Sequence, residues 1–232
     1  VPVRGRRHLQ DLAPGEPAAT AMRLLVAGCE LLSRGGVLVA HALLPTVTPE
    51  DDTVLRATGF SPLATLLYLG CEEPAFPTEP PGGALDLTPF DPAEEERMAR
   101  LVEATYVGTL DCPAMNGLRS VEEVLAGYRS AGSFSPKNWH FVQREGRDVG
   151  CLLLSDYPRE GNLELVYMGV IPSGRGNGWG KVICRHAQWL ARQAERPRLV
   201  LAVDEANQPA LAMYASVGFR AFDRRTVYLR QM

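Results

Sequence analysis

The stretch Val170-Ile171-Pro172-Ser173-Gly174-Arg175-Gly176-Asn177-Gly178-Trp179-Gly180-Lys181 restricts the fold more than any other part of the sequence. It joins an apolar run to one in which Ile183, Ala187, Leu190, Ala191 and Ala194 recur at helical spacing, so it reads as a strand-to-helix turn. Glycines at 176, 178 and 180 let the backbone take positive φ and approach a ligand closely. The first N–H groups of the helix then face outward at the positive end of its dipole. Such a segment is an anion cradle, suited to a pyrophosphate.

Two familiar phosphate loops do not fit it. A Walker A loop needs Gly at 175 and Ser or Thr at 182, where Arg175 and Val182 stand. A dinucleotide fingerprint needs Gly at 181, which is Lys181, and an early βαβ unit that is missing. The pattern that fits is Arg/Gln-x-x-Gly-x-Gly/Ala after a V-x-P strand end, met by Arg175 to Gly180 after Val170-Ile171-Pro172.

The surrounding elements place this turn in a mixed sheet. Residues 72–83 carry five Pro and Gly in their last seven positions, which neither a helix nor a central strand accepts, and are read as a linker between domains. Beyond it come a strand at 85–88, a helix at 92–105 and a helix at 120–129 opened by the capping box Ser120 and Glu123. Strands at 139–144, 149–156 and 163–171 follow, then a helix at 178–195, a strand at 199–203, a helix at 209–217 and a strand at 220–229. The order βααβββαβαβ is that of an α/β layer structure.

Composition narrows the function classes. With 232 residues, 46% apolar and 22% charged, the chain is neither disordered nor a disulfide scaffold. No apolar run approaches the roughly 20 residues of a spanning helix, and no membrane partner is expected. A net charge of −3, with only short clusters such as Arg4-Gly5-Arg6-Arg7 and Arg224-Arg225, gives no footprint for nucleic acid. Five scattered cysteines and the absence of an apolar leader after Val1-Pro2-Val3-Arg4 fit a reducing, cytoplasmic setting. Cys184 and His186, two apart on a helix, point to different faces, so no metal is expected.

Residues 84–232 thus resemble the GNAT superfamily of acetyl-CoA-dependent N-acetyltransferases. A second signature of that family follows in order: Asn207, then Pro209-Ala210-Leu211-Ala212-Met213-Tyr214, then Gly218-Phe219. The resemblance implies that backbone N–H groups from Arg175, Gly176, Asn177, Gly178, Trp179, Gly180 and Lys181 hold the CoA pyrophosphate. It implies that the strand edge Met168, Gly169 and Val170 pairs with the pantetheine arm, and that Asn207 touches the cofactor. Glu164 matches a strand carboxylate that serves as general base in some members, and Tyr214 a phenol that protonates the departing thiolate. Alternation would put Glu164, Val166, Met168 and Val170 on one face. The implied reaction is direct acetyl transfer to an amine in a ternary complex, with no metal. The competing class is a non-catalytic or regulatory acyl-CoA-binding module. The segment from Leu110 to Gly117 falls where the family's acceptor loop lies and carries no diagnostic charge pattern.

Residues 1–71 read as a degenerate C-terminal half of the same fold. Laying Gly59-Phe60 on Gly218-Phe219 puts Glu16 and Pro17 on Arg175 and Gly176, and Leu55 on Tyr214. A negative charge and a missing N–H spoil the cradle there, so one acetyl-CoA site per chain is expected, in 84–232. The tandem arrangement is similar to that of mycothiol synthases. With too few residues before the first helix for the earlier strands, this unit is either truncated or evolved as a half-domain. Its sheet edge needs cover from the second domain or from another chain, as in a homodimer, and Leu24, Leu25, Leu31 and Leu32 are expected to supply apolar burial.

Overall fold

The structure, a computed structural model, describes residues 16–232. The cluster Arg4-Gly5-Arg6-Arg7 and the side chains of Glu16 and Pro17 lie outside the described residues. Contacts divide the chain into two compact units, Val1–Ala64 with Arg225–Met232, and Thr65–Arg224.

The larger unit is an α/β layer structure. Its strands are β2 (Ser61–Glu72, from Thr65 onward), β3 (Asp86–Pro89), β4 (Trp139–Arg144), β5 (Arg147–Tyr157), β6 (Asn162–Val170), β7 (Arg198–Asp204) and the first residues of β8 (Arg220–Gln231). Its helices are α3 (Glu95–Tyr106), α4 (Val121–Ser130), α5 (Trp179–Gln193) and α6 (Gln208–Ser216). The sheet runs β2-β7-β6-β5-β4-β3. These neighbours are antiparallel except β6 and β7, which are parallel. The apolar run Leu152-Leu153-Leu154 makes β5 a central strand buried on both faces. Leu152 and Leu154 pack with Ile183, Ala187 and Ala191 of α5, whereas Cys151 and Leu153 pack with Met98, Leu101 and Val102 of α3 and Leu125 of α4. The capping box forms as expected, with Ser120 N–H donating to Glu123 Oε2 at 2.9 Å and Glu123 N–H to Ser120 Oγ at 3.3 Å.

Two expectations for the larger unit change. The contact boundary falls at Ala64/Thr65 rather than in 72–83. Proline and glycine there prevent regular structure but not packing: Phe76 is buried in the α5 core, and Arg192 donates to its carbonyl at 3.1 Å. Residues 66–72 of β2 pair with the whole of β7, so this stretch is part of the larger sheet. In addition, strict alternation along β6 fails. Leu153 pairs with Tyr167 and Leu154 with Leu165, leaving Val166 as a bulge. Glu164 therefore shares a face with Tyr167 and Gly169, not with Met168 and Val170.

The smaller unit comprises α1 (Glu16–Arg34), β1 (Val39–Leu44), α2 (Pro49–Ala57) and the end of β8, which pairs antiparallel with β1. Its core is Cys29, Leu55, Phe60 and Tyr228 with Leu25 against them. Leu24, Leu31 and Leu32, expected to be buried, are 69%, 71% and 44% exposed, because α1 turns Leu25 and Cys29 inward instead. The ends of α2 and α6 share one geometry. Phe60 N–H donates to the Leu55 carbonyl at 2.9 Å and Phe219 N–H to that of Tyr214 at 3.1 Å. Gly59 and Gly218 lie between at φ 84° and 95°.

Two outcomes are expected. A chain cut to residues 80–232 loses β2 and bares the β7 edge with Leu199, Leu201 and Val203; size-exclusion chromatography should show aggregates, and a soluble monomer would refute this role of β2. His140 on β4 and His186 on α5 are buried with ring centroids 5.7 Å apart, and burial pushes both imidazoles down to about 4. Unfolded imidazoles take up protons near 6.5, so stability is full above that pH and falls as pH drops toward about 4. Urea midpoints measured from pH 7 to 4 should fall, and less steeply in His186→Gln.

Candidate active site

Pairing between β6 and β7 stops at Glu164 and Val200. Beyond that point the strands part, and a groove of about 420 Å³ opens between them. Met168, Gly169 and Val170 of β6 line one side, Ala202 and Val203 of β7 the other, with Asn207 and Tyr214 contributing from the start and middle of α6. An unpaired strand edge beside a groove is what an extended ligand with amide groups can bind. The Val170 carbonyl, however, already accepts from Arg175 Nε at 3.1 Å.

The glycine-rich turn has the geometry of a cradle. Gly176 and Gly178 have φ of 81° and 75°, and a Cβ at either would meet only open space. Gly178 is the N-cap of α5 and supplies no side-chain cap. Among the described residues, no protein acceptor takes the N–H groups from Gly176 to Gly180. Five free donors at the positive end of a 15-residue helix suit a diphosphate.

The side chains of the turn hold the loop itself. Arg175 clamps three carbonyls, those of Val170, Gly108 (2.9 Å) and Thr105 (2.8 Å), tying the end of α3 to the end of β6. Asn177 braces the turn by donating to the Gly174 carbonyl at 3.1 Å. Trp179 packs over Gly174, where a Cβ would collide with its ring, while Lys181 is exposed. Asn207 caps α6 by accepting from Ala210 N–H at 3.3 Å.

Tyr214 is buried, and among the described residues nothing hydrogen-bonds its hydroxyl, although the residue lines the groove. Burial holds its pKa well above that of a free phenol, so it stays protonated. Glu164 lies apart, half-buried, and lines neither the groove nor the cavity described next. Its neighbour is Tyr157, whose phenol is pushed up to about 12 by burial and by its hydrogen bond with Glu164.

A second cavity, of about 260 Å³, adjoins the groove. The segment 110–117, read from sequence as the acceptor loop, supplies Asp111, Cys112, Met115, Asn116 and Gly117 to it. Three rings that drew no notice in the sequence form a wall: Tyr128 stacks on Tyr167 at 5.4 Å, and Tyr106 meets Tyr167 edge-on at 5.5 Å. Asp111 also went unremarked. Its Oδ1 accepts from Asp204 N–H at 2.8 Å, and Asp204 Oδ2 accepts from Cys112 N–H at 3.2 Å, so the loop is docked on the end of β7. Cys112 sits in the left-handed region at φ 43°, and burial pushes its thiol up to about 12, leaving it a poor nucleophile.

The family model described as "Acetyltransferase (GNAT) family" matches residues 106–219, a stretch that includes the glycine-rich turn and the segment 110–117. The chain carries a GNAT acetyltransferase domain. Curated relatives are named mycothiol acetyltransferases. That of Thermomonospora curvata is 33% identical over 95 residues, covering 41% of this chain and 32% of the relative. That of Jonesia denitrificans is 27% identical and covers 84% and 63%; that of Streptomyces griseus is 27% identical and covers 97% and 67%. The chain thus spans between a third and two thirds of their length. Among solved structures, a GCN5-related N-acetyltransferase from Sphaerobacter thermophilus has a TM-score of 0.65 at 15% identity, covering 92% of this chain and 68% of that one. A tandem GNAT protein from the clavulanic acid biosynthesis pathway has 0.56 at 16%, covering 97% and 73%. These structural likenesses establish the GNAT fold. Acetyl-CoA is the co-substrate of that family. Among the described residues no His, Cys, Asp and Glu side chains group as metal ligands, and no helix is long and apolar enough to cross a membrane.

Replacing Gly178 of the GNAT domain with Val should abolish acetyl-CoA binding while the domain stays folded. A β-branched residue resists φ of 75° at a cost of about 1–3 kcal/mol and fills the space a diphosphate would use. Calorimetry with unchanged affinity would remove the cradle assignment.

Proposed function

We propose that the GNAT domain transfers the acetyl group of acetyl-CoA to an amine by direct attack in a ternary complex. The observation that carries this is the junction of groove and second cavity at Val166 and Tyr167, with Tyr214 lining the groove. An acyl carrier lying along β6 brings its thioester to that junction, and an acceptor in the second cavity meets it there. The raised thiol of Cys112 supports direct transfer over a cysteinyl intermediate. The relatives' name supports acetyl as the transferred group.

The steps follow from elementary chemistry. The acceptor arrives as an ammonium and must lose a proton before its nitrogen attacks the thioester carbonyl. Glu164 is the base in this reading. Because it lines neither space, the proton reaches it through water. The tetrahedral adduct collapses to amide and CoA thiolate, and Tyr214 donates its proton to that sulfur. Met168, Gly169 and Val170 guide the pantetheine, and the free N–H groups from Gly176 to Gly180 hold the diphosphate, those of Arg175 and Lys181 being taken by the carbonyls of Pro172 and Gly178 at 3.2 and 3.1 Å. Arg175 and Asn207 also keep the site's loops in place.

The shared helix ends of α2 and α6 support reading residues 1–71 as a half-copy of the fold, with 84–232 as the catalytic part. Leu55 at the Tyr214 position leaves that copy without an acid.

Glu164→Gln should lower kcat by about 10²–10⁴ with acetyl-CoA affinity unchanged. Tyr214→Phe, which keeps the packing, should lower kcat by about tenfold or more. CoA release with an amine panel is the assay. Tight acetyl-CoA binding without turnover of any amine would instead identify a regulatory acyl-CoA-binding module.

A further inference from the structure

Four residues, Thr109, Asp111, Val166 and Tyr167, line both the groove and the acceptor cavity. Asp111 is the one among them that carries a charge. We infer that Asp111 binds the ammonium group of the acceptor at this junction, and that the acceptor is an aliphatic primary amine, bound as the cation. This deepens the amine-acetylation reading and rests on it.

The carboxylate is held for such a role. Its own N–H donates to Thr109 Oγ1 at 3.1 Å, and its Oδ1 accepts from Asp204 N–H, which fixes the side chain. Among the described residues, nothing donates to its Oδ2. Asp204 is buried and lines neither space, and its oxygens accept from Ala206 N–H (2.9 Å) and Cys112 N–H. Asp111 is open to solvent through the two spaces, yet protein packed around its carboxyl and the nearby Asp204 raise its pKa. A bound cation relieves both effects.

The wall opposite favours the same ligand. The Tyr167 hydroxyl is engaged with Thr105 at 2.6 Å, and those of Tyr106 and Tyr128 with each other at 3.0 Å. The wall then offers a ligand mainly ring surface, whose negative faces attract a cation. Glu103 and Arg119 line the far part of the acceptor cavity with opposite charges, and neither reaches the groove. An arylamine, uncharged at neutral pH, gains nothing from this corner.

The test uses the full chain loaded with CoA. Butylamine, 2-phenylethylamine, glucosamine and lysine methyl ester are titrated by calorimetry beside butanol, 2-phenylethanol and glucose. At least one amine should bind the wild type tenfold or more tightly than its uncharged counterpart. Asp111→Asn should lose at least tenfold in amine affinity, and in turnover raise KM more than it lowers kcat, with acetyl-CoA affinity unchanged. Asp111→Glu should recover part of the loss. Equal binding of amines and their uncharged counterparts, failure of every amine to bind, or an unaltered amine affinity in Asp111→Asn would overturn the inference. Amines that bind through Asp111 without CoA release would leave it standing and sink the transferase reading instead.

Discussion

The parting of β6 from β7 after Glu164 and Val200 is the constraint on which the site depends. Two parallel strands that stop pairing leave backbone groups unsatisfied on facing edges, and a ligand with amides of its own can satisfy them. The bulge at Val166 lies where the separation develops and turns the following residues over. The loop from α3 is then fastened on both sides of the gap, by Arg175 at the β6 side and by the reciprocal bonds of Asp111, Cys112 and Asp204 at the β7 side. Groove and second cavity are thus set by one opening in the sheet and one strap across it.

This arrangement explains what was legible in the sequence. Glycines at 176 and 178 announce the cradle because only positive φ gives that turn, and the structure has both there. The elements from 84 onward were readable because their apolar periods and caps are local, as Ser120 and Glu123 show. The bulge was not readable: Glu164, Val166, Met168 and Val170 alternate perfectly in sequence, and only pairing with β5 reveals the extra residue. Asp111 gave little local signal, since its importance comes from Asp204, far along the chain. Arg175 was identified from its motif, but its clamp on the Thr105 and Gly108 carbonyls is long-range and invisible to spacing. The burial expected of Leu24 and Leu31 failed because helical period fixes which residues share a face, not which face finds a partner.

The pairing of β2 with β7 has a consequence for how the chain is made. Leu66 finds Asp204 and Glu72 finds Arg198, partners separated by more than a hundred residues of intervening sequence. Ribosomal synthesis delivers β2 before β7, so the earlier strand must wait for a partner made more than a hundred residues later. Closing so long a loop is slow compared with forming local helices and hairpins. During that interval the apolar stretch Leu66-Leu67-Tyr68-Leu69 waits without its β7 partner, a strand edge on which chaperones can act. The pairing that carries the sheet past β7 therefore ties the safety of an early strand to the arrival of a much later one.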